Sequence, residues 1–173
     1  MITDLNETLI AYDITTTDRI AHFLGQCTKE SGQGKWTGEL YDGDPVAYFT
    51  KKYENRTDLG NNQPGDGYRF RGVGYIQVTG RDNYQAFANT FKDEVIKGKI
   101  MAEGADYVKQ HYTWRASGFW WHDNGMNAIV DRGTTVKEIT SKVNYNLKYQ
   151  NDYEQQIKDR TKYTNQAFQI LGK

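Results

Sequence analysis

Five glycines, at positions 65, 67, 72, 74 and 80, fall within the twenty residues from Gly65 to Tyr84. Such spacing drives the backbone into sharp turns and lets it approach a neighbour or a ligand closely, at an entropic cost that ordinary surface loops do not bear. The same stretch holds Arg69, Arg71 and Arg81 and the polar side chains of Gln77, Thr79 and Asn83. Within it Tyr75–Thr79 alternates, which predicts a short strand with Gln77 and Thr79 on the face opposite Ile76 and Val78. Framed by glycine turns, that strand suits the wall of a cleft for a polyhydroxylated ligand. A hairpin with a polar solvent face would show the same pattern.

Helical periodicity dominates elsewhere. Thr15–Thr17 supply capping hydroxyls, Asp18 favours a helix N-terminus, and Ile20, Phe23, Leu24 and Cys27 recur on one face, which predicts a helix from Thr17 to Ser31 ended by Gly32. Further helices are expected near Pro45–Tyr53, from Asp82, over 101–112 and 116–130, around Val136–Val143 behind a Thr134 or Thr135 cap, and from Tyr153 to Leu171. Residues 32–67 otherwise read as loop, and a strand or hairpin is expected at about 68–79. The expectation is a mainly α, single-domain protein over residues 1–173, with a small β element; that length buries a core without staples.

The 22 basic and 22 acidic residues cancel, which gives no argument for nucleic acid or an anionic membrane as partner. The first fifty residues are acid-rich, a mild pointer to carboxylate chemistry that a solvated surface also explains. Cys27 is the one cysteine, so no intramolecular disulfide framework exists, and His22, His111 and His122 are too scattered to argue for a metal. A phosphate loop is excluded too, because no Gly-Lys-Ser/Thr follows Gly74. No apolar run approaches membrane-spanning length, and no secretory signal pattern opens the chain.

Glu30 extends the apolar stripe of the first predicted helix, three residues after Cys27 and seven after Phe23. A carboxyl so placed is either structurally paired or kept partly desolvated as a proton donor. Periodicity alone favours the first.

Gly72–Tyr84 resembles the Gly-Arg-Gly-x-Ile-Gln-Leu-Thr/Ser-Gly-Arg-x-Asn-Tyr signature of glycoside hydrolase family 19, with Val73 where the family usually has arginine. Ala21–Gly32 resembles that family's first catalytic helix, and Ala116–Trp121 a later core motif. The resemblance implies a lysozyme-like α+β fold with a small hairpin beside the cleft. It also implies inverting hydrolysis of a β-1,4 glycosidic bond without any cofactor. On it, Glu30 falls at the general acid and Glu39 is the best candidate for the base, with Asp42 and Asp44 as rivals. Thr79 would help to position the water. Gln77, Asn83, Asn144, Gln26 and Tyr75 are expected around the substrate, with Gln26 holding the Glu30 rotamer. Arg160, on the stripe of the last helix, would be a buried cation fixing a catalytic carboxylate. The family's Val-Asn-Gly-Gly motif reads Val143-Asn-Tyr-Asn146 here, so both glycines are missing.

The short Gly-Arg-Asp-Asn-Tyr form of the motif and the disulfide-free chain resemble the phage-endolysin and bacterial cell-wall branch. The expected substrate is therefore peptidoglycan glycan strands, cut by a monomer without membrane insertion. Chitin or chitosan is the enzymatic alternative, and a glycan-binding or virion structural module the alternative of another class. Action at the bacterial wall without a signal peptide fits either a lysin released at lysis or a module of a larger secreted protein.

Overall fold

The computed structural model describes residues 2–172, and these are mostly helical. The helices are α1 (Ile2–Ala11), α2 (Thr17–Glu30), α3 (Pro45–Tyr53), α4 (Asp66–Arg69), α5 (Arg81–Asn89), α6 (Glu94–Glu103), α7 (Ala105–His111), α8 (Thr113–Asp123), α9 (Met126–Asp131), α10 (Val136–Val143) and α11 (Tyr153–Ile170). Short 3-10 turns occupy Thr57–Leu59 and Tyr145–Tyr149. The chain divides into two compact units, one made of residues 1–35 and 118–173 and the other of residues 36–117.

In the first unit α2 packs along α11. Thr16 caps α2 through its hydroxyl on the Arg19 N–H, and Phe23, Cys27, Trp121 and Ile139 are buried. Burial pushes the Cys27 thiol well above its ordinary pKa, so it stays neutral as a small core residue. Thr135 opens α10 with a reciprocal capping box on Glu138. The approach of α2 to α11 is closest at Gly25, where a Cβ would stand 2.1 Å from Thr164 Oγ1 and 3.0 Å from the Thr164 backbone nitrogen. Glycine to alanine inside a helix ordinarily stabilises, by up to about 1 kcal/mol. At Gly25 the sign is expected to reverse, because the buried Thr164 hydroxyl stands where the Cβ would go and the Thr164 backbone right behind it leaves that short side chain no room to withdraw. Gly25→Ala should cost about 1–3 kcal/mol in a denaturant melt, as overpacking does; a more stable variant would refute this packing.

In the second unit Phe49, Phe70, Tyr84, Phe87, Ile100 and Val108 are buried. The largest departure from the sequence expectation lies here. The segment 68–79 forms no strand; α4 occupies its start, and only isolated bridges pair Val73 with Gly38 and with Val78. Between Val73 and Val78 the chain turns through Gly74, at φ +99°, where a Cβ would sit 2.8 Å from the Ile76 carbonyl oxygen. The alternation of Tyr75–Thr79 therefore belongs to a tight reversal rather than to an extended ladder. Gln77 is exposed and Thr79 half-buried, while Tyr75, Ile76 and Val78 are buried. Val73, at the position where an arginine was expected, is itself a buried core residue.

Besides α4, two helices were not anticipated. α1 lies ahead of the first expected helix, and α6 starts at Glu94 on an Asp93 cap although its apolar residues follow no clear face.

Candidate active site

Glu30 ends α2 in the first unit, and its Oε1 accepts a hydrogen bond from Arg160 Nη2 on α11. Arg160 is almost fully buried, and its other donors are committed as well: Nε bonds Gln26 Oε1 at 3.1 Å and Nη1 bonds Gln156 Oε1 at 3.0 Å. Gln26 in turn donates to Thr140 Oγ1 at 3.1 Å on α10. The guanidinium is thus held by acceptors from three residues, a fixed fork that suits carboxylate recognition. The side chain of Glu30 keeps 24 % exposure, and its Oε2 accepts no hydrogen bond among the described residues.

This arrangement corrects one sequence expectation. Gln26 is fully buried and bonds Arg160 and Thr140, so it acts on Glu30 through Arg160 and offers nothing to a substrate. Asn144 closes α10 and is half-buried.

Glu39 lies in the second unit, just outside the helices, where its backbone N–H bonds the Gly72 carbonyl at 2.9 Å. Three donors converge on its carboxylate. Lys52 Nζ reaches Oε1 at 2.7 Å, the Tyr53 hydroxyl reaches Oε1 at 2.8 Å, and the Gly72 N–H reaches Oε2 at 2.9 Å. Burial works against the charge of Lys52, but its bonds to Glu39 and Tyr53 more than offset this and lift its pKa above the ordinary lysine value. Burial raises the Tyr53 phenol also, so both groups remain donors at neutral pH. Gly72 is required beside Glu39: a Cβ there would meet Gln77 Oε1 at 2.3 Å and Glu39 Cγ at 3.1 Å. Gln77 therefore lies against Gly72, in the neighbourhood of Glu39.

A pocket of about 160 Å³ opens at Glu39, lined also by Tyr68, Arg71, Gly72 and Lys109. Arg71 is largely buried, stacked 4.0 Å over the Tyr68 ring and paired with Asp106. The rival bases lie differently, since Asp44 accepts the Ala47 N–H at 3.1 Å to cap α3. Asn83 is exposed and donates to the Thr79 carbonyl at 2.7 Å, which ties two expected ligand contacts together. Tyr75 requires a second correction. Its ring is buried against Trp114, centroids 4.2 Å apart, so it belongs to the core of its unit and not to a sugar platform.

Sequence reading missed Lys52 and Tyr53. Both occur in a predicted helix, but nothing in its periodicity links them to a carboxylate thirteen residues earlier across a loop. Among the described residues no group of three or more metal-ligating side chains forms, and no helix is long and apolar enough to cross a membrane.

The helical fold is similar to that of solved chitinases. It matches chitinase C from Streptomyces griseus at a TM-score of 0.68 and 21% identity, over 98% of this chain and 69% of that one. A chitinase C mutant gives a TM-score of 0.72 with the same identity and coverage. A glycosyl hydrolase family 19 domain-containing protein of Haemophilus influenzae is 37% identical over 91 residues, 39% of this chain and 46% of that protein's length. No protein-family model matches the sequence. These likenesses give the chain the fold of the solved chitinases, and over 91 residues a sequence similar to a glycosyl hydrolase family 19 domain-containing protein.

Proposed function

We propose that this protein hydrolyses β-1,4 glycosidic bonds of peptidoglycan glycan strands by single displacement with inversion, residues 1–173 working as one catalytic domain and as a monomer. Glu30 protonates the leaving oxygen through Oε2, and Glu39 takes the proton from the attacking water. Thr79 positions that water, and Gln77, Asn83 and Asn144 bond the sugars. Two carboxylates and water suffice for this chemistry.

The observation that carries the reading is the environment of Glu39. An ammonium, a phenol and a backbone N–H all donate to it, which fixes the carboxylate in one orientation at the mouth of its pocket. Lys52→Met combined with Tyr53→Phe takes two of the three donors from the Glu39 carboxylate and should lower turnover at least about tenfold with the helical fold kept. Full activity of that double variant in a fragment-release assay would remove Glu39 from the base role.

Mass spectrometry of fragments released from purified peptidoglycan tests the activity, and the sugar at each new reducing end names the bond cut. Proton NMR of the first product formed should show the α-anomer, as inversion at a β-bond demands. The fold likeness to chitinases keeps chitin as the second reading, so chitin oligomers belong in the same assay. At the wall, the protein would act either as a lysin released at lysis or as a module of a larger secreted protein.

A further inference from the structure

α3 carries more than the partners of Glu39. Its outer face and the preceding loop border a groove of about 660 Å³, walled by Tyr41, Ala47 and Tyr48 and rimmed by Asp44, Lys51 and Lys52. That volume lies in the range of small-molecule sites. Tyr41 and Tyr48 stack in parallel with centroids 3.9 Å apart and yet stay 46 % and 37 % exposed, a standing apolar wall in water. The groove is joined to the Glu39 pocket in two ways. Tyr41 lines both, and Lys52 borders the groove while donating to Glu39.

The charges along the rim are unequal in their commitments. Asp44 caps α3 through the Ala47 N–H, and Lys52 is paired with Glu39. Lys51, exposed on the same rim, forms no ion pair among the described residues. The wall thus offers a flat apolar surface of ring width with one uncommitted cation at its edge.

We infer that this groove is a glycan subsite for a sugar bearing a pendant carboxylate, the pyranose lying on the Tyr41–Tyr48 wall and the carboxylate pairing with Lys51. Amphipathic tyrosines accommodate a ligand that is apolar on one side and wet on the other. A muramic-acid sugar with its lactyl-peptide arm has this chemistry, whereas the uncharged N-acetylglucosamine of chitin gives Lys51 nothing to pair with. The inference rests on the proposed peptidoglycan hydrolysis and assigns to this groove the recognition of the sugar whose arm carries the carboxylate.

The test is an NMR chemical-shift titration of the full chain with N-acetylmuramyl dipeptide and, separately, with its uncharged carboxyl ester. The charged probe should bind about fivefold more tightly, the scale of one exposed ion pair. Lys51→Met should erase that preference, and Tyr41→Ala should weaken both probes. Lys51 is exposed, so its variant stays folded even where Tyr41→Ala does not. Equal binding of the two probes, a preference that survives Lys51→Met, or shifts that map away from α3 would each overturn the subsite. These readouts need no turnover. A protein that releases nothing from peptidoglycan but shows the Lys51-dependent preference keeps the subsite and loses the hydrolase reading. One that hydrolyses the wall without the preference does the reverse.

Discussion

Replacing Glu30 by Gln is expected, on the proposed hydrolysis, to lower turnover by about a thousandfold while the helical fold persists, the scale of losing a positioned general acid. Gln at this position still offers an amide oxygen to Arg160 Nη2, and Arg160 keeps its bonds to Gln26 and Gln156. What disappears is a carboxyl able to hand a proton to a leaving group. The buried guanidinium does lose its counter-charge, so a melting temperature a few degrees lower should accompany the change. Far-UV circular dichroism and fragment release, measured on the same sample, separate these effects. A Glu30→Gln protein with full activity would reduce the Glu30–Arg160 pair to the structural role that helix periodicity alone favours. Glu39→Gln should be similarly inactive, and retained activity there would move the base to Asp42 or Asp44.

The largest stability effect is expected at Asp66. Its side chain is wholly buried, yet it accepts from Arg81 Nη2 at 2.6 Å, Arg81 Nε at 2.8 Å and the N–H groups of Gln63 and Asn62 at 3.0 and 3.1 Å. Burial acts to raise its pKa, but the Arg81 bonds and the backbone donors prevail and hold it below the usual 3.8. The sign follows from linkage. A depressed carboxylate contributes stability that is complete above the unfolded-state value and is lost as the pH falls through the folded one. Asp66→Asn should therefore cost about 3 kcal/mol at neutral pH, as breaking a buried pair does. The variant should also lack the part of the acid destabilisation that wild type shows below about pH 4. Urea melts between pH 2.5 and 7 measure both. A pH-independent difference between the two proteins would assign the loss to packing rather than charge.

This second effect reaches the site. Arg81 donates its backbone N–H to Asn61 Oδ1, and Asn61 donates to the Tyr53 carbonyl at 2.9 Å. Loosening Asp66–Arg81 thus loosens the end of α3 that presents Tyr53 to Glu39. Asp66→Asn should accordingly be slower as well as less stable.

Local periodicity and capping chemistry, read from the sequence by itself, determined the helices at Thr17–Glu30, Pro45–Tyr53 and Val136–Val143 and the long C-terminal one, because each depends on neighbours three or four residues apart. They also placed Glu30 on a buried stripe, and the ordered motifs gave the resemblance to glycoside hydrolase family 19. The tertiary structure decided everything that depends on distant partners. Arg160 meets Glu30 across 130 positions and uses Gln26 as its support, which turns an expected ligand contact into a buried brace. Lys52 and Tyr53 reach Glu39 across a loop whose path no period encodes. The alternation of Tyr75–Thr79 is a local signal that the positive φ of Gly74 and the Val73–Val78 bridge override, leaving a reversal where a strand was expected. Sequence periodicity reports which face of an element is buried; what that face meets is settled only when the chain has closed on itself.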